Sequence, residues 1–172
     1  MRSTRKKTVS QIVVKEDLFQ AIEKDYSCST TNNILILVPH ICSNGNAFNS
    51  LFAKQVLMKY PIVEQNYAIL DGKSFGHSQF VSVKKTSNKE LLFVNMISQD
   101  IVHKKPNHRT LSYAALVKCM YQVHLYIQDY KSKKEDLIVE IHTPKNNRGV
   151  QWNLFSELIE DMWSSYNCYI HI

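Results

Sequence analysis

The run Ile34-Leu35-Ile36-Leu37-Val38 constrains this chain more than any other segment. It has no polar face to turn toward water. A strand of this kind is covered on both sides, which requires helices on both faces of a sheet. The flanking sequence supplies candidates. Gln11 to Val14 reads as a short apolar strand, and Leu18 to Lys24 as a helical turn or two. Ser27 to Asn33 is a polar loop. Phe48, Leu51, Phe52 and Val56 fit a helix that Pro61 stops. Gln79 to Lys84 alternates as a strand, Ser87-Asn88 turns, and Leu91 to Met96 returns. Asn95 to Pro106 reads as a loop. Thr110 is placed to cap a long helix whose stripe is Ala115, Cys119, Val123, Tyr126 and Tyr130, closed by Lys131 to Lys134. Leu137 to Ile141 is a strand. Trp152, Phe155, Ile159 and Met162 form a last helical stripe, and Cys168 to Ile172 a last strand.

Strands alternating with helices imply an α/β fold, a three-layer α/β/α sandwich with a mixed central sheet. At 172 residues, 44% of them apolar, one domain can bury a core without staples. No repeat or long linker divides the chain. The expected organisation is a basic arm over residues 1–8 and a single domain over residues 9–172. In open α/β sheets, ligands sit beyond the carboxyl ends of the strands. That directs attention to the loops after Val38, Met96 and Ile141, where polar residues cluster.

Charge and cysteine usage narrow the chemistry. The formal net charge is +6, and Arg2, Arg5, Lys6 and Lys7 precede the first acid, Glu16. The excess favours an anionic partner; the arm reads either as a solvated tail or as a nucleic-acid contact. The loop His103 to Arg109, with Lys104 and Lys105, repeats that choice, and Lys145 and Arg148 lie on another candidate loop. Cys28, Cys42, Cys119 and Cys168 form no C-x-x-C pair, which argues against zinc and a redox dithiol. Free thiols in a reducing compartment, no signal peptide and no apolar run of roughly 18 residues imply a cytoplasmic protein without a membrane partner. No Walker loop or G-x-S-x-G elbow occurs, and the histidines make no H-E-x-x-H pair. No metal or cofactor is expected. His40 and His142 lie at strand ends that the fold brings together, as a two-histidine site or as structural histidines. His124 and His171 read as structural.

Against this background, residues 40–53 resemble the first ligand loop of macro domains, whose microbial and phage-like members carry H-x-[VC]-N-x-x-G-x-[MW]-G-x-G-[IF]-A. Lys59-Tyr60-Pro61 is similar to the Lys-x-Pro that closes the next family helix. Lys15-Glu16-Asp17-Leu18 resembles K-G-D-L, and Val94 to Gln99 resembles N-M-I-x-Q. Tyr113 to Leu116 resembles the start of R-Y-x-A-L, and Val139 to Lys145 with Trp152 the V-H-x-P-R…W segment. The resemblance spans roughly residues 10–172.

The resemblance implies a module that binds ADP-ribose or a related adenine nucleotide. Asp17 would accept from the adenine amine, the alternative being a helix cap. Backbone around Asn46, Asn49 and Ser50 would hold the diphosphate, with Asn44 in the same loop and Ser43 where the family has an Asn on the distal ribose; Phe48 either stacks on the ligand or is buried. Asn95, Gln99, Asn146, Asn147, Arg148 and Gly149 would lie near the distal ribose and second loop. Trp152 is a core anchor or a stacking platform.

The departures concern glycine. The chain has 4, and the three family glycines of the first loop appear as Asn46, Asn49 and Leu51. Asparagine tolerates positive φ better than most residues, but leucine does not. Ser43 replaces the family Asn. No acid lies between Glu140 and Glu157, and Ser98-Gln99 stands where one hydrolytic branch has a nucleophilic Lys. The resemblance therefore implies binding of ADP-ribose without efficient hydrolysis. The alternatives are a closed-pocket nucleic-acid or protein interaction module, with the arm, Lys104, Lys105 and Arg148 as its footprint, and an ADP-ribosyl or ADP-ribose 1″-phosphate hydrolase.

Overall fold

A computed structural model describes residues 11–45, 48, 50–70, 73–103, 110–145 and 149–172. The basic arm, Lys104, Lys105, Asn46, Asn49, Asn146, Asn147 and Arg148 lie outside the described residues. The elements run β1 (Gln11–Val14), α1 (Leu18–Ser27), β2 (Asn33–Ser43), α2 (Leu51–Lys59), α3 (Pro61–Ala68), β3 (His77–Lys85), β4 (Lys89–Gln99), α4 (Tyr113–Lys133), β5 (Leu137–Pro144), α5 (Trp152–Trp163) and β6 (Asn167–His171).

The six strands form one sheet in the order β1-β6-β5-β2-β4-β3. All neighbours are parallel except the β3–β4 hairpin. The carboxyl ends of β1, β2, β4, β5 and β6 therefore share one edge of the molecule. Helices α4 and α5 cover one face through Leu116, Cys119, Met120, Val123, Phe155 and Trp163. The other face is covered by α1, α2 and α3 through Leu18, Phe19, Ile22, Val56 and Val63. Ile34, Ile36 and Val38 point into the second core, while Leu35 and Leu37 point into the first. The apolar run is thus buried on both sides, as its composition demands.

Strand β2 continues past Val38 to Ser43, so the loop expected after Val38 begins five residues later. Pro39 is tolerated inside it for a geometric reason. Pairing with β5 stops at Leu37, and the Pro39 carbonyl faces that side, where the Thr143 hydroxyl donates to it at 3.2 Å. The missing N–H therefore leaves no ladder partner without a donor. Strand β4 likewise runs to Gln99, which corrects the reading of Asn95 to Gln99 as loop. Pro61 ends α2 but opens α3 as its first residue, where a missing N–H costs nothing. Helix α4 is capped by Ser112, not Thr110, through its hydroxyl and Ala115 N at 3.2 Å. The buried stripe of α5 is Phe155, Ile159 and Trp163, with Trp152 and Met162 at its margin. Cys42, Cys119 and Cys168 are buried free thiols, and Cys28 is exposed. Among the described residues no helix is long and apolar enough to cross a membrane.

Candidate functional site

Where the parallel strands end, a cleft of about 370 Å³ opens between α1 and the start of α2. The turn after β1 supplies Glu16, Asp17, Leu18 and Phe19. The start of α2 supplies Ser50, Leu51, Phe52 and Gln55. Pro144, His171 and Ile172 close it from the ends of β5 and β6. This is where an open α/β sheet places its ligands.

Asp17 caps α1: one carboxylate oxygen accepts from Gln20 N at 3.0 Å. That satisfies an orphan helix amide and holds the carboxylate at the cleft wall. Its second oxygen has no part in the cap. Ser50 caps α2 in the same way, accepting from Ala53 N at 3.0 Å. The cleft thus contains an acceptor carboxylate and the positive end of a helix, two features suited to an amine and an anion. Leu51 is the first residue of α2. It lines the cleft and is 84% exposed, so it does not face the core. Phe19 and Phe52 stack at 5.7 Å behind this wall.

Other residues expected at the site are engaged inside the protein. The Ser43 hydroxyl lies 3.2 Å from that of Tyr67, which also donates to the Ser43 carbonyl at 2.7 Å and to the Gly45 carbonyl. Burial pushes the Tyr67 phenol up to about 12. Asn44 donates to Asp100 at 2.8 Å and accepts from Ile101 N at 2.9 Å, tying the two loops together. Phe48 is half-buried and packs on His40 at 5.8 Å and Tyr67 at 5.3 Å. Asn95 is fully buried in β4 and donates to Gln79 at 2.9 Å. The Gln99 carbonyl accepts from Asn44 N at 2.8 Å. Gly149 holds φ of +80° in the second loop, a conformation that L side chains rarely adopt. Of the described candidates, the structure brings Asp17 and Ser50 together at the cleft.

The histidines follow the structural alternative rather than a two-histidine site of His40 and His142, both of which are buried. His40 does not meet His142. It is buried against Phe48, Phe52 and Phe93, and that burial lowers its pKa to about 4, partly offset by Asn95. Cys42 Sγ lies 3.5 Å from His40 Nδ1, but burial raises its thiol well above the ordinary range. The pair is therefore uncharged and is no thiolate nucleophile. His142 instead meets His171, with Nδ1 and Nε2 at 2.9 Å. His171, Gln55 and Phe19 are cleft residues that the sequence reading missed. A usable signal was present for His171, since it closes a strand at the carboxyl edge. Among the described residues no group of His, Cys, Asp or Glu is arranged to hold a metal.

No family model matches the sequence, and no curated protein matches it. Solved structures do. A Bacteroides thetaiotaomicron protein of unknown function superposes with a TM-score of 0.71 at 19% identity, over 94% of this chain and 96% of that one. A macrodomain protein from Streptomyces coelicolor superposes at 0.59 and 17% identity, over 94% and 98%. DarTG from Thermosipho africanus, solved in complex with ADP-ribose, superposes at 0.64 and 11% identity, over 96% of this chain and 42% of that one. By strand order, layering and these neighbours, the chain is a macrodomain in fold.

Proposed function

We propose that the chain binds ADP-ribose or a related adenine nucleotide in the cleft between α1 and α2, and that it does so without efficient hydrolysis. The observation that carries this reading is the juxtaposition of Asp17 with the N-terminus of α2 in one cleft. The Asp17 carboxylate is held by its cap and keeps an oxygen for the adenine amine. The first amides of α2 point out of the helix and offer donors to a diphosphate. Apolar walls from Leu18, Leu51, Phe52 and Ile172 fit a base or ribose face. Support for the ligand class comes from the ADP-ribose seen in the DarTG neighbour.

Of the cleft's titratable groups, Glu16 is in an exposed ion pair with Lys24 at 4.0 Å, and His171 and Asp17 are already engaged. Both His171 nitrogens already have partners, at Glu16 O and His142. Asp17 is engaged as a cap. A binder therefore fits the arrangement better than a hydrolase.

Asp17→Ser separates cap from recognition. Serine still caps α1, so stability stays within about 0.5 kcal/mol of the parent. It is too short to reach the amine, and the charged hydrogen bond it removes is worth about 1.5–3 kcal/mol. Calorimetry with ADP-ribose then shows affinity reduced by at least ~10-fold. Absence of heat with the parent chain at millimolar ligand, or release of ADP-ribose from a modified protein, contradicts the reading.

A further inference from the structure

Helix α1 is the cleft wall that carries Glu16 and Asp17 at its start, and both of its ends are tied to a pair of buried histidines. In the parallel register of β5 and β6, His142 lies opposite Tyr169 and Pro144 opposite His171. His142 and His171 are therefore diagonal neighbours on the face that α1 covers, with rings stacked at 5.2 Å. They are 1% and 7% exposed. His171 Nδ1 lies 2.9 Å from the Glu16 carbonyl, just before α1. His171 Nε2 lies 2.9 Å from His142 Nδ1. His142 Nε2 lies 3.0 Å from a carboxylate oxygen of Asp25, in the last turn of α1, close in distance but without an aligned hydrogen bond.

The partners dictate which atoms carry protons. A carbonyl only accepts, so His171 Nδ1 donates to Glu16. A neutral His171 then presents a lone pair at Nε2, and His142 Nδ1 donates to it. His142 Nε2 faces the Asp25 carboxylate across 3.0 Å. The hydrogen bonds run one way, from His142 through His171 to Glu16.

We propose that His142 and His171 form a proton-gated clamp that fastens both ends of α1 to the sheet and so positions the Glu16–Asp17 wall of the cleft. One more proton breaks the clamp. It enters at His171 Nε2, where it faces the N–H of His142 at a separation that only one hydrogen allows. Two opposed N–H groups then replace a hydrogen bond. The groups facing the pair are Glu16, Asp17 and Asp25 from α1, Glu140 from β5 and Tyr169 from β6. The acids favour the second proton, and burial opposes it. Burial dominates at His171 and lowers its pKa, so the clamp is intact near neutrality and opens on acidification. An effect on ligand affinity rests on the cleft being the nucleotide site; the clamp itself does not.

The test is made on the full chain without ligand. Side-chain ¹⁵N spectra near neutral pH are expected to show His171 protonated at Nδ1 and bare at Nε2. As pH is lowered from neutrality until His171 protonates, amide exchange over residues 18–22 accelerates ~10-fold more than in α5. His171→Asn keeps a donor for Glu16 and removes the titration, so its α1 protection is independent of pH over that range. An Nε2-protonated His171, or α1 protection unchanged through its titration, overturns the clamp. With ligand, ADP-ribose affinity falls ~10-fold across the same range in the parent and less than ~2-fold in His171→Asn. Should ADP-ribose bind at neither pH, the nucleotide reading fails while the spectra still decide the clamp.

Discussion

Trp163→Ala lowers the stability of this chain by about 3–5 kcal/mol. Trp163 ends α5 and is fully buried between that helix, α4 and the sheet. Alanine removes the largest fully buried side chain and leaves a space that the surrounding strands are too well paired to fill. It also strips the Met120 carbonyl of the indole N–H that donates to it at 3.1 Å. A domain of this size has about 5–15 kcal/mol in total, so much of the margin disappears. Urea denaturation shows the loss as a lower midpoint at unchanged slope. Trp163→Phe keeps most of the packing and loses the hydrogen bond, so its cost is nearer ~1–2 kcal/mol. An alanine variant within about 1 kcal/mol of the parent contradicts this account of the core.

The second large effect is acid destabilisation through His40. Its pKa in the folded chain is about 4, against an ordinary 6.5, because it is fully buried among Phe48, Phe52 and Phe93. A depressed histidine binds its proton more readily in the unfolded chain. The unfolded state is therefore favoured as pH falls: the stability is fully present above 6.5 and lost progressively down to about 4. The span corresponds to about 3 kcal/mol. His171 acts in the same direction, since burial lowers its pKa as well. Glu140 acts in the opposite direction, because burial raises its carboxyl and acidification relieves the cost. Urea midpoints measured from about pH 7 to about pH 4 show the decline, and His40→Met flattens most of it whatever its effect at neutral pH. A parent chain equally stable at both ends contradicts the assignment.

Much of the architecture is readable from residue patterns because burial imposes period and run length locally. Ile34 to Val38 announces a strand covered on both faces, and the Ala115-Cys119-Val123 stripe announces a long helix against it. Element ends are less legible. β2 runs through Pro39 because its pairing with β5 stops at Leu37, and nothing within residues 34–43 shows where that pairing ends. α3 has no broad apolar stripe of its own, burying only Val63 and Tyr67.

The candidate site divides along a similar line. Asp17 and Ser50 are legible because a helix cap is a local device, set by the residue and the turn that follows it. The other polar residues of the loops are not. Ser43, Asn44 and Asn95 have the chemistry to hold a ligand, yet Tyr67, Asp100 and Gln79 take them first. Each of those partners comes from a distant segment. Of the positions where the macro-domain pattern has glycine in the first loop, Leu51 lies among the described residues and follows the same logic. Leu51 replaces a family glycine without closing the cleft, because the first residue of α2 turns its side chain outward.

By itself, the sequence determined the layered α/β fold and the edge of the sheet where a ligand would sit. Both depend on apolar periodicity and strand order, which are properties of short segments. Only the tertiary structure decided which polar groups remain for a ligand and which histidines meet. His142 and His171 are joined by the register of two parallel strands, and a hydrogen bond across that register needs an alignment that no local pattern contains.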